Sequence, residues 1–214
     1  RLVGSEMCIR DSDDIEEVRN FINVDFIVNV TLDDHKKIAF AAAGHPVTAH
    51  RKACEFLDKI YKKKVKEPAD IVVVSTGGYP KDINLYQAQK SIDNVKHIVK
   101  KGGIMIVAAS CKEGYGSIPF TKWINQYNSP TERIEEIRKH FELGGHKAAA
   151  LGLVQENADI YLVTDMDDES VTKANMVPFH DIQTAVNHAL EKMGKNATVY
   201  VVPVGGSTLP VVER

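Results

Sequence analysis

The sequence predicts an α/β protein, with a three-layer domain built on a mainly parallel sheet and preceded by the tail of a second α/β domain. Three short apolar runs at residues 71–75, 104–109 and 159–164 are typical of strands buried on both faces. Stretches with helical periodicity separate these runs. Such alternation favours parallel strands joined by helices that cover both faces of the sheet.

Most of these elements lie in residues 67–214. Glycine pairs and a serine–proline step predict where helices end and begin, because glycine ends helices and proline suits their first turn. The further predicted elements are helices at 82–101, 120–127, 130–143, 146–157 and 181–195 and a strand at 198–203, with Gly102-Gly103 ending the first helix and Ser129 capping the third.

Residues 13–66 have a different pattern, with one pair of strands between two helices. The predicted elements are a helix at Asp13–Ile22, antiparallel strands at Phe26–Leu32 and Lys37–Ala42, and an amphipathic helix at Val47–Lys63. Residues 65–69 have the lysine, glutamate and proline composition of a linker. We therefore predict that residues 13–66 are the end of an N-terminal domain with its connecting helix, and that residues 67–214 form a C-terminal α/β domain.

The first twelve residues, RLVGSEMCIRDS, show no periodicity and do not lead into the helix that follows them. They resemble a translated sequencing-adapter remnant of the kind found at the ends of metagenomic fragments. We expect residues 1–12 to be non-native, and the chain to be a fragment that begins within a gene.

The composition excludes some classes of partner. The 214 residues are 43% hydrophobic and 26% charged, which is ordinary for a globular protein. A formal net charge of −2 offers no attraction to nucleic acid or to an acidic membrane surface, and no run reaches the ~18 apolar residues of a membrane span. The cysteines Cys8, Cys54 and Cys111 have no CxxC spacing, which favours a reducing, cytoplasmic setting.

The first candidate site is the strand, glycine turn and helix at residues 71–90. Gly77 and Gly78 interrupt the chain at the carboxyl edge of the strand, where ligands bind in open α/β sheets. Gln87 and Lys90 share a helix face and could hold a hydroxyl and a carboxylate, although the same spacing suits an ordinary solvated face. The N–H groups at the start of this helix could equally hold an anion.

Two other segments carry polar groups that suit a site. His146 and Lys147 follow two glycines at a predicted helix start, where a histidine can be an acid, a base or a ligand, or can simply lie on the surface. The loop at 110–116 follows the strand at 104–109 and should share the same sheet edge, with Cys111 as a buried or loop thiol rather than a nucleophile. No HxH or HExxH spacing occurs, so we predict no metal site in this chain.

The segment VSTGGYPKDINLYQAQK, residues 74–90, resembles a segment of the nickel-pincer lactate racemases that reads approximately S-N-G-G-x-P-x-D-x-N-x-Y-Q-x-x-K. Thr76 stands where that pattern has asparagine. Further similarity lies in DFIVNVTL, AGHPVTAH, KKGGIMIVAASCKEGYG and GGSTLP. The resemblance therefore extends over residues 13–214.

The resemblance implies an enzyme of two α/β domains that racemises or epimerises 2-hydroxy acids by hydride transfer. Its cofactor would be a nickel pincer nucleotide, a pyridinium dithiocarboxylate mononucleotide attached to a lysine of the N-terminal domain, which also supplies the acid–base histidines. Those groups precede the DFIVNV strand. We therefore expect this chain to be the C-terminal part, inactive alone, with a small 2-hydroxy acid and the missing N-terminal domain as its partners.

The resemblance also assigns residue roles. It places Gln87 and Lys90 near the substrate carboxylate and the pincer as catalytic residues. The residues it places in contact with substrate or cofactor are Gly77, Gly78, Tyr86, His146 and Lys147. The segment Gly145-His146-Lys147 stands where the family has a tryptophan-containing segment, and Trp123 lies too early to replace that indole. A more polar pocket would follow, which suits a larger or more anionic 2-hydroxy acid than lactate.

Two other interpretations stay open. One is a stand-alone α/β domain that binds a small anionic metabolite, such as a phosphorylated or carboxylated one. The other is a structural relative that has lost the chemistry, against which the presence of Gln87 and Lys90 argues.

Overall fold

The structure is a computed structural model and describes residue 17 and residues 21–33 and 35–213. Most of the helix predicted at Asp13–Ile22, and all of the adapter-like segment at 1–12, lie outside these residues. The described residues fall into two compact units, which meet in sequence between Lys62 and Lys63. The two units are described separately. The predicted domain assignments, with a division at residue 66, stay a prediction.

The first unit is a β-hairpin with one helix packed on it. Its elements are β1 (Ile27–Leu32), β2 (Ile38–Gly44) and α1 (Pro46–Tyr61), and the two strands pair antiparallel as predicted. Asp33 shapes the turn, because its carboxylate accepts hydrogen bonds from the N–H groups of His35 and Lys37 at 2.8 and 2.9 Å. Phe40 of β2 stacks on Phe56 of α1 with ring centroids 4.7 Å apart, which fixes the helix on one face of the hairpin.

The second unit contains the main sheet. Its strands are β3 (Lys62–Val65), β4 (Ala69–Ser75), β5 (Val99–Ala108), β6 (Ala158–Val163), β7 (Val177–Phe179), β8 (Val199–Val202) and β9 (Leu209–Val212). Five of them form a parallel sheet in the order β7-β6-β5-β4-β8, and β3 pairs with β9 in a separate ribbon. The prediction of an α/β fold with a mainly parallel sheet is confirmed.

Helices cover both faces of this sheet. They are α2 (Leu85–Val95), α3 (Ile118–Gln126), α4 (Pro130–Lys139), α5 (Gly145–Gln155), α6 (Asp168–Lys173) and α7 (Ile182–Met193). Along β4, Val72 and Val74 pack into the core beneath α2, α3 and α5, whereas Ile71 and Val73 face α7. Both sides of the strand are buried, which explains its unbroken β-branched run. Among the described helices, none combines the length and apolar character needed to cross a bilayer.

The helix predicted at 82–101 is shorter than expected. It ends at Val95, followed by a 3-10 turn at Lys96–Ile98, and β5 already begins at Val99. Gly102 and Gly103 therefore lie within a strand and do not end a helix. A side chain at Gly103 would collide with the carbonyl oxygen of Asp70 at 2.7 Å, so glycine allows the close approach of the two strands.

Several other boundaries differ from the prediction. The helix after Ser129 ends at Lys139 rather than near Leu143, although its predicted cap is present, because Ser129 and Glu132 form a reciprocal capping box. The segment predicted as a linker begins with the end of a strand, β3. Four of the described helices and strands were not predicted from the sequence, namely β3, α6, β7 and β9, which have only four, six, three and four residues.

Candidate functional site

The loops that follow β4 and β5 are hydrogen-bonded to each other at the carboxyl edge of the sheet. The N–H of Cys111 donates to the carbonyl oxygen of Asp82 at 2.7 Å, and the N–H of Glu113 donates to that of Ile83 at 2.9 Å. Gly116 lies so close to Asn84 that a β-carbon there would be 2.4 Å from the Asn84 side chain. The two loops therefore form one connected surface, as their shared sheet edge predicts.

The start of α2 is fully engaged within the protein. The N–H groups of Leu85 and Tyr86 donate to the carbonyl oxygens of Gly114 and Tyr115 at 2.9 and 3.1 Å. The N–H of Gln87 donates to the Asn84 side chain at 3.0 Å, which makes Asn84 the N-cap. The N–H groups of residues 85–87 therefore already have acceptors within the protein. The expectation that the N–H groups near Asp82 to Asn84 could hold an anion stays a prediction.

Gln87 and Lys90 lie together on the outward face of α2. The Lys90 ammonium donates to Oε1 of Gln87 at 2.7 Å, so the amide oxygen steers the cation and leaves the amide NH₂ available to a ligand. Lys90 is exposed and Gln87 is half-buried. The pair thus presents a positive charge and a neutral donor side by side.

Lys147 joins this pair from α5. Its ammonium donates to the main-chain oxygen of Tyr86 at 3.0 Å and lies 4.2 Å from the centre of the Tyr86 ring. Burial, and then the positive charge of Lys90, lower the pKa of Lys147, while Asp93 opposes this effect. Tyr86 and Lys147, which are 61 positions apart in the sequence, thus come together. The group formed by Tyr86, Gln87, Lys90 and Lys147 is called the lysine pair site below.

Asp93 is the nearest acidic residue to the two lysines, and its carboxylate is already engaged. Its oxygens accept from the Lys96 ammonium at 3.1 Å and from the Gln89 amide at 2.9 Å. Within the described part of the chain, neither Lys90 nor Lys147 forms an ion pair with a carboxylate. The lysine pair site therefore carries uncompensated positive charge.

His146 is turned towards its own loop. Its ring stacks on Phe141 with centroids 5.8 Å apart, and its Nδ1 accepts a hydrogen bond from the N–H of Gly144 at 3.0 Å. Lys147, the next residue, points to α2 instead. The contacts that the structure gives His146 thus do not include the lysine pair site.

Trp123 sets the position of the first turn of α5. A β-carbon at Gly145 would lie 2.2 Å from Cε2 of the buried Trp123 indole, so only glycine fits there. The Trp123 Nε1–H donates to the Glu142 carboxylate at 2.6 Å, and this bond lowers the pKa of Glu142. An indole does therefore contact the segment at 145–147, although as a core group beneath the helix.

Gly77 and Gly78 form the turn after β4 with φ of +90° and +76°, values that favour glycine. A β-carbon at Gly77 would lie 3.3 Å from Val204 and 3.8 Å from the Lys81 ammonium. Gly206, in the loop after β8, approaches the same Lys81 side chain. The turn therefore brings the loops of two neighbouring strands together beside a lysine.

Cys111 is a buried thiol with 1% exposure, and burial raises its pKa to about 12. A thiol that stays protonated at neutral pH is a poor nucleophile, in line with the predicted structural role. Within residues 17, 21–33 and 35–213, no three histidine, cysteine or acidic side chains are grouped so that they could hold a metal ion.

The sequence analysis missed one polar cluster at the same sheet edge. The Ser110 hydroxyl donates to the Asp165 carboxylate, and the His180 ring lies 3.0 Å from both the Thr164 carbonyl oxygen and the Asp168 carboxylate. Both partners of this ring are acceptors, and they raise the pKa of His180. Thr164 is the last residue of a predicted strand and Asp165 follows it directly, and this position could have signalled them.

Comparison with known proteins identifies the class of protein. Residues 64–210 match the family model described as the lactate racemase C-terminal domain. The chain is 34% identical over 192 residues to a lactate racemase of Thermoanaerobacterium thermosaccharolyticum, across 87% of this chain and 45% of that protein. It is 28% identical over 185 residues to a lactate racemase of Lactiplantibacillus plantarum, across 84% of this chain and 43% of that protein.

Solved structures agree with these sequence matches. The lactate racemase apoprotein from T. thermosaccharolyticum superposes with a TM-score of 0.86 at 32% identity, over 92% of this chain and 48% of that one. A Thermotoga maritima protein shares the fold, with a TM-score of 0.63 at 19% identity over 94% of this chain and 52% of that one.

The chain belongs to the lactate racemase family, through its C-terminal domain. It spans less than half the length of the two curated relatives.

Proposed function

We propose that this chain is the C-terminal part of a nickel-pincer-dependent 2-hydroxy acid racemase or epimerase, and that it supplies contacts to substrate and cofactor. The observation that supports this most directly is the lysine pair site. Lys90 and Gln87 lie 2.7 Å apart at the outward face of α2, and Lys90 has no carboxylate partner among the residues that the structure describes. A 2-hydroxy acid offers the two groups that this pair lacks, an anion and a hydroxyl.

Each member of the pair has a distinct task. The Lys90 ammonium binds the substrate carboxylate by a charge-assisted hydrogen bond, which is about twice as strong as a neutral one. Lys90 holds the oxygen of the Gln87 amide, so the amide NH₂ turns towards the 2-hydroxyl oxygen of the substrate. This hydrogen bond keeps the hydroxyl in place while the hydride on carbon 2 leaves and returns. Gly77 and Gly78 let the neighbouring loop approach the substrate without side chains in the way.

The residues of this half suit a cofactor that is anchored elsewhere. A nickel pincer nucleotide, when bound, supplies the hydride acceptor. Lys90, Lys147 and the Tyr86 ring offer cations and an aromatic face to its anionic and planar parts, whereas the described residues group no metal ligands. We therefore assign the nickel ligand and the cofactor lysine to the N-terminal domain, and expect this chain to be inactive alone. The parent enzyme is assigned to the cytoplasm, in keeping with the free thiols of Cys54 and Cys111.

The test is to rebuild the full-length gene, load the protein with the nickel cofactor, and follow racemisation of 2-hydroxy acids by chiral chromatography. Lys90→Met should lower kcat/KM by on the order of 100-fold, because a charge-assisted hydrogen bond to the substrate is lost. Gln87→Leu should lower kcat more than it raises KM if the amide acts on the reacting hydroxyl.

Lys192→Met is the matched control. Like Lys90→Met, it removes a lysine from a helix, and it breaks the ion pair of that lysine with Asp159 at 2.6 Å. Lys192 lies on α7 and not at the lysine pair site. It should leave kcat/KM unchanged. A full-length, cofactor-loaded enzyme that racemises no 2-hydroxy acid would refute the proposed function, as would racemisation by the 214-residue chain alone.

A further inference from the structure

Lys90 and Lys147 differ in their charge environment from three other lysines of the second unit. Lys96, Lys100 and Lys192 each have a carboxylate oxygen within 3.1 Å. Lys147, in contrast, is half-buried, faces a carbonyl oxygen and an aromatic ring, and lies near a second cation. Two neighbouring cations without an acid between them repel each other, and an anion placed between them removes that repulsion.

Helix geometry places the two lysines on one side of α2. Lys147 binds the main-chain oxygen of Tyr86, and Lys90 lies four residues further along the same helix, so its side chain rises from the same face. Each ammonium has three N–H donors, and the structure uses one donor of Lys90 on Gln87 and one of Lys147 on Tyr86. The remaining donors are sufficient to bind two separate oxyanions.

The contacts of Lys147 with Tyr86 leave its positive charge without a carboxylate partner among the described residues. A methionine would lose the hydrogen bond and the cation–π contact, but it would still cover the Tyr86 ring and would carry no charge next to Lys90. Asp93, the acid that could neutralise the pair, is bound by Lys96 and Gln89. A cation at 147 therefore costs stability in the unliganded protein, and a ligand charge would offset that cost.

We propose that Lys147 determines substrate specificity by binding a second anionic group, at the far end of a 2-hydroxy acid whose own carboxylate is bound by Lys90. The preferred substrates are then 2-hydroxy acids with a distal carboxylate rather than lactate. This inference rests on the proposed function for the role of Lys90. It narrows the larger or more anionic 2-hydroxy acid expected from the sequence to one with a second carboxylate, and it assigns the binding of that carboxylate to Lys147.

The test compares two probes, 2-hydroxybutanedioate and lactate, on three forms of the cofactor-loaded, full-length enzyme: wild type, Lys147→Met and Lys147→Arg. The ratio of kcat/KM for the dianion to that for lactate should exceed one in the wild type and fall by on the order of 10- to 100-fold in Lys147→Met. Lys147→Arg should keep most of the preference, because it retains the charge. Lys195→Met, an exposed lysine beyond α7, is the control and should leave the ratio unchanged.

Calorimetric binding of both probes to the cofactor-free protein gives a second, independent measurement. The dianion should bind more tightly than lactate, and Lys147→Met should remove the difference. An enzyme that racemises both acids with a ratio insensitive to Lys147→Met overturns this inference and leaves the proposed function standing. A protein that racemises neither these two nor any other 2-hydroxy acid overturns the proposed function, while a dianion preference that depends on Lys147 in calorimetry would still support the second anion-binding group. Loss of both signals overturns both.

Discussion

Gly145→Ala tests how the position of α5 depends on the buried indole. The added β-carbon would lie 2.2 Å from Cε2 and 2.6 Å from Nε1 of Trp123, which is only 2% exposed. Neither the helix backbone nor the ring can yield without moving other core groups, and overpacking of this kind costs about 1–3 kcal/mol. Displacing the indole also weakens its hydrogen bond to the Glu142 carboxylate, which adds to the loss.

Alanine is better than glycine in a helix by about 1 kcal/mol, which offsets part of this loss. We therefore expect a net destabilisation of about 1–2 kcal/mol. Urea unfolding followed by tryptophan fluorescence measures it directly, because Trp123 is the single tryptophan of the sequence. Gly206→Ala is the matched control, since its β-carbon would meet its nearest neighbours at 3.5–3.8 Å, which is ordinary contact.

The double variant Trp123→Leu, Gly145→Ala isolates the collision itself. With the indole absent, the second substitution should cost much less than it does in the wild type, so the two effects should not add. This cycle needs circular dichroism as its signal, because the fluorophore is removed. A Gly145→Ala protein as stable as the wild type would refute the reasoning, and so would strictly additive effects in the double variant.

Two further predictions concern charge within the second unit. Lys100 and then Thr198 hold the pKa of the Asp70 carboxyl well below its ordinary value. Asp70 therefore stabilises the fold above a pH of about 4, the ordinary aspartate pKa, and this contribution is lost as the pH falls towards the lowered pKa of the folded protein. Asp70→Asn should flatten the acid side of a plot of melting temperature against pH, and an unchanged acid side would contradict this. Arg133 is fully buried, with Nη1 unpartnered among the described residues, and its other N–H groups donate to oxygens that include the Lys173 carbonyl and the Asn175 amide. Arg133→Met should destabilise the protein by about 1–3 kcal/mol in urea unfolding, because those oxygens lose their donor. A stabilised variant would contradict this and show that removing the buried charge outweighs the loss of those hydrogen bonds.

The sequence predicted the main sheet because its central strands are buried on both sides. Val72 and Val74 face one layer of helices and Ile71 and Val73 the other, so the whole run is apolar and β-branched. The Ser129 cap was equally clear, since a capping box is a local pattern. The short elements α6, β7 and β9 gave no such signal, because three to six residues are too few to show a period.

Long-range contacts in the candidate site were beyond sequence reasoning. The pairing of Gln87 with Lys90 follows from helical spacing and was predicted. The contact of Lys147 with Tyr86 joins residues 61 positions apart, and no local pattern encodes it. The prediction of a helix up to residue 101 was wrong for the same reason, since Val99 joins β5 by pairing with the distant Ala69 of β4.

The hydrogen bonds that tie the start of α2 to the loop after β5 have a consequence for how a substrate is received. Leu85 and Tyr86 donate to Gly114 and Tyr115, so the first turn of α2 cannot tilt unless that loop moves with it. Lys90 and Gln87 project from this anchored helix. The backbone positions of both residues are therefore set before any ligand arrives, and little backbone conformational entropy is lost here when one binds. Under the proposed function, any closing movement around the substrate would have to come from elements other than this helix.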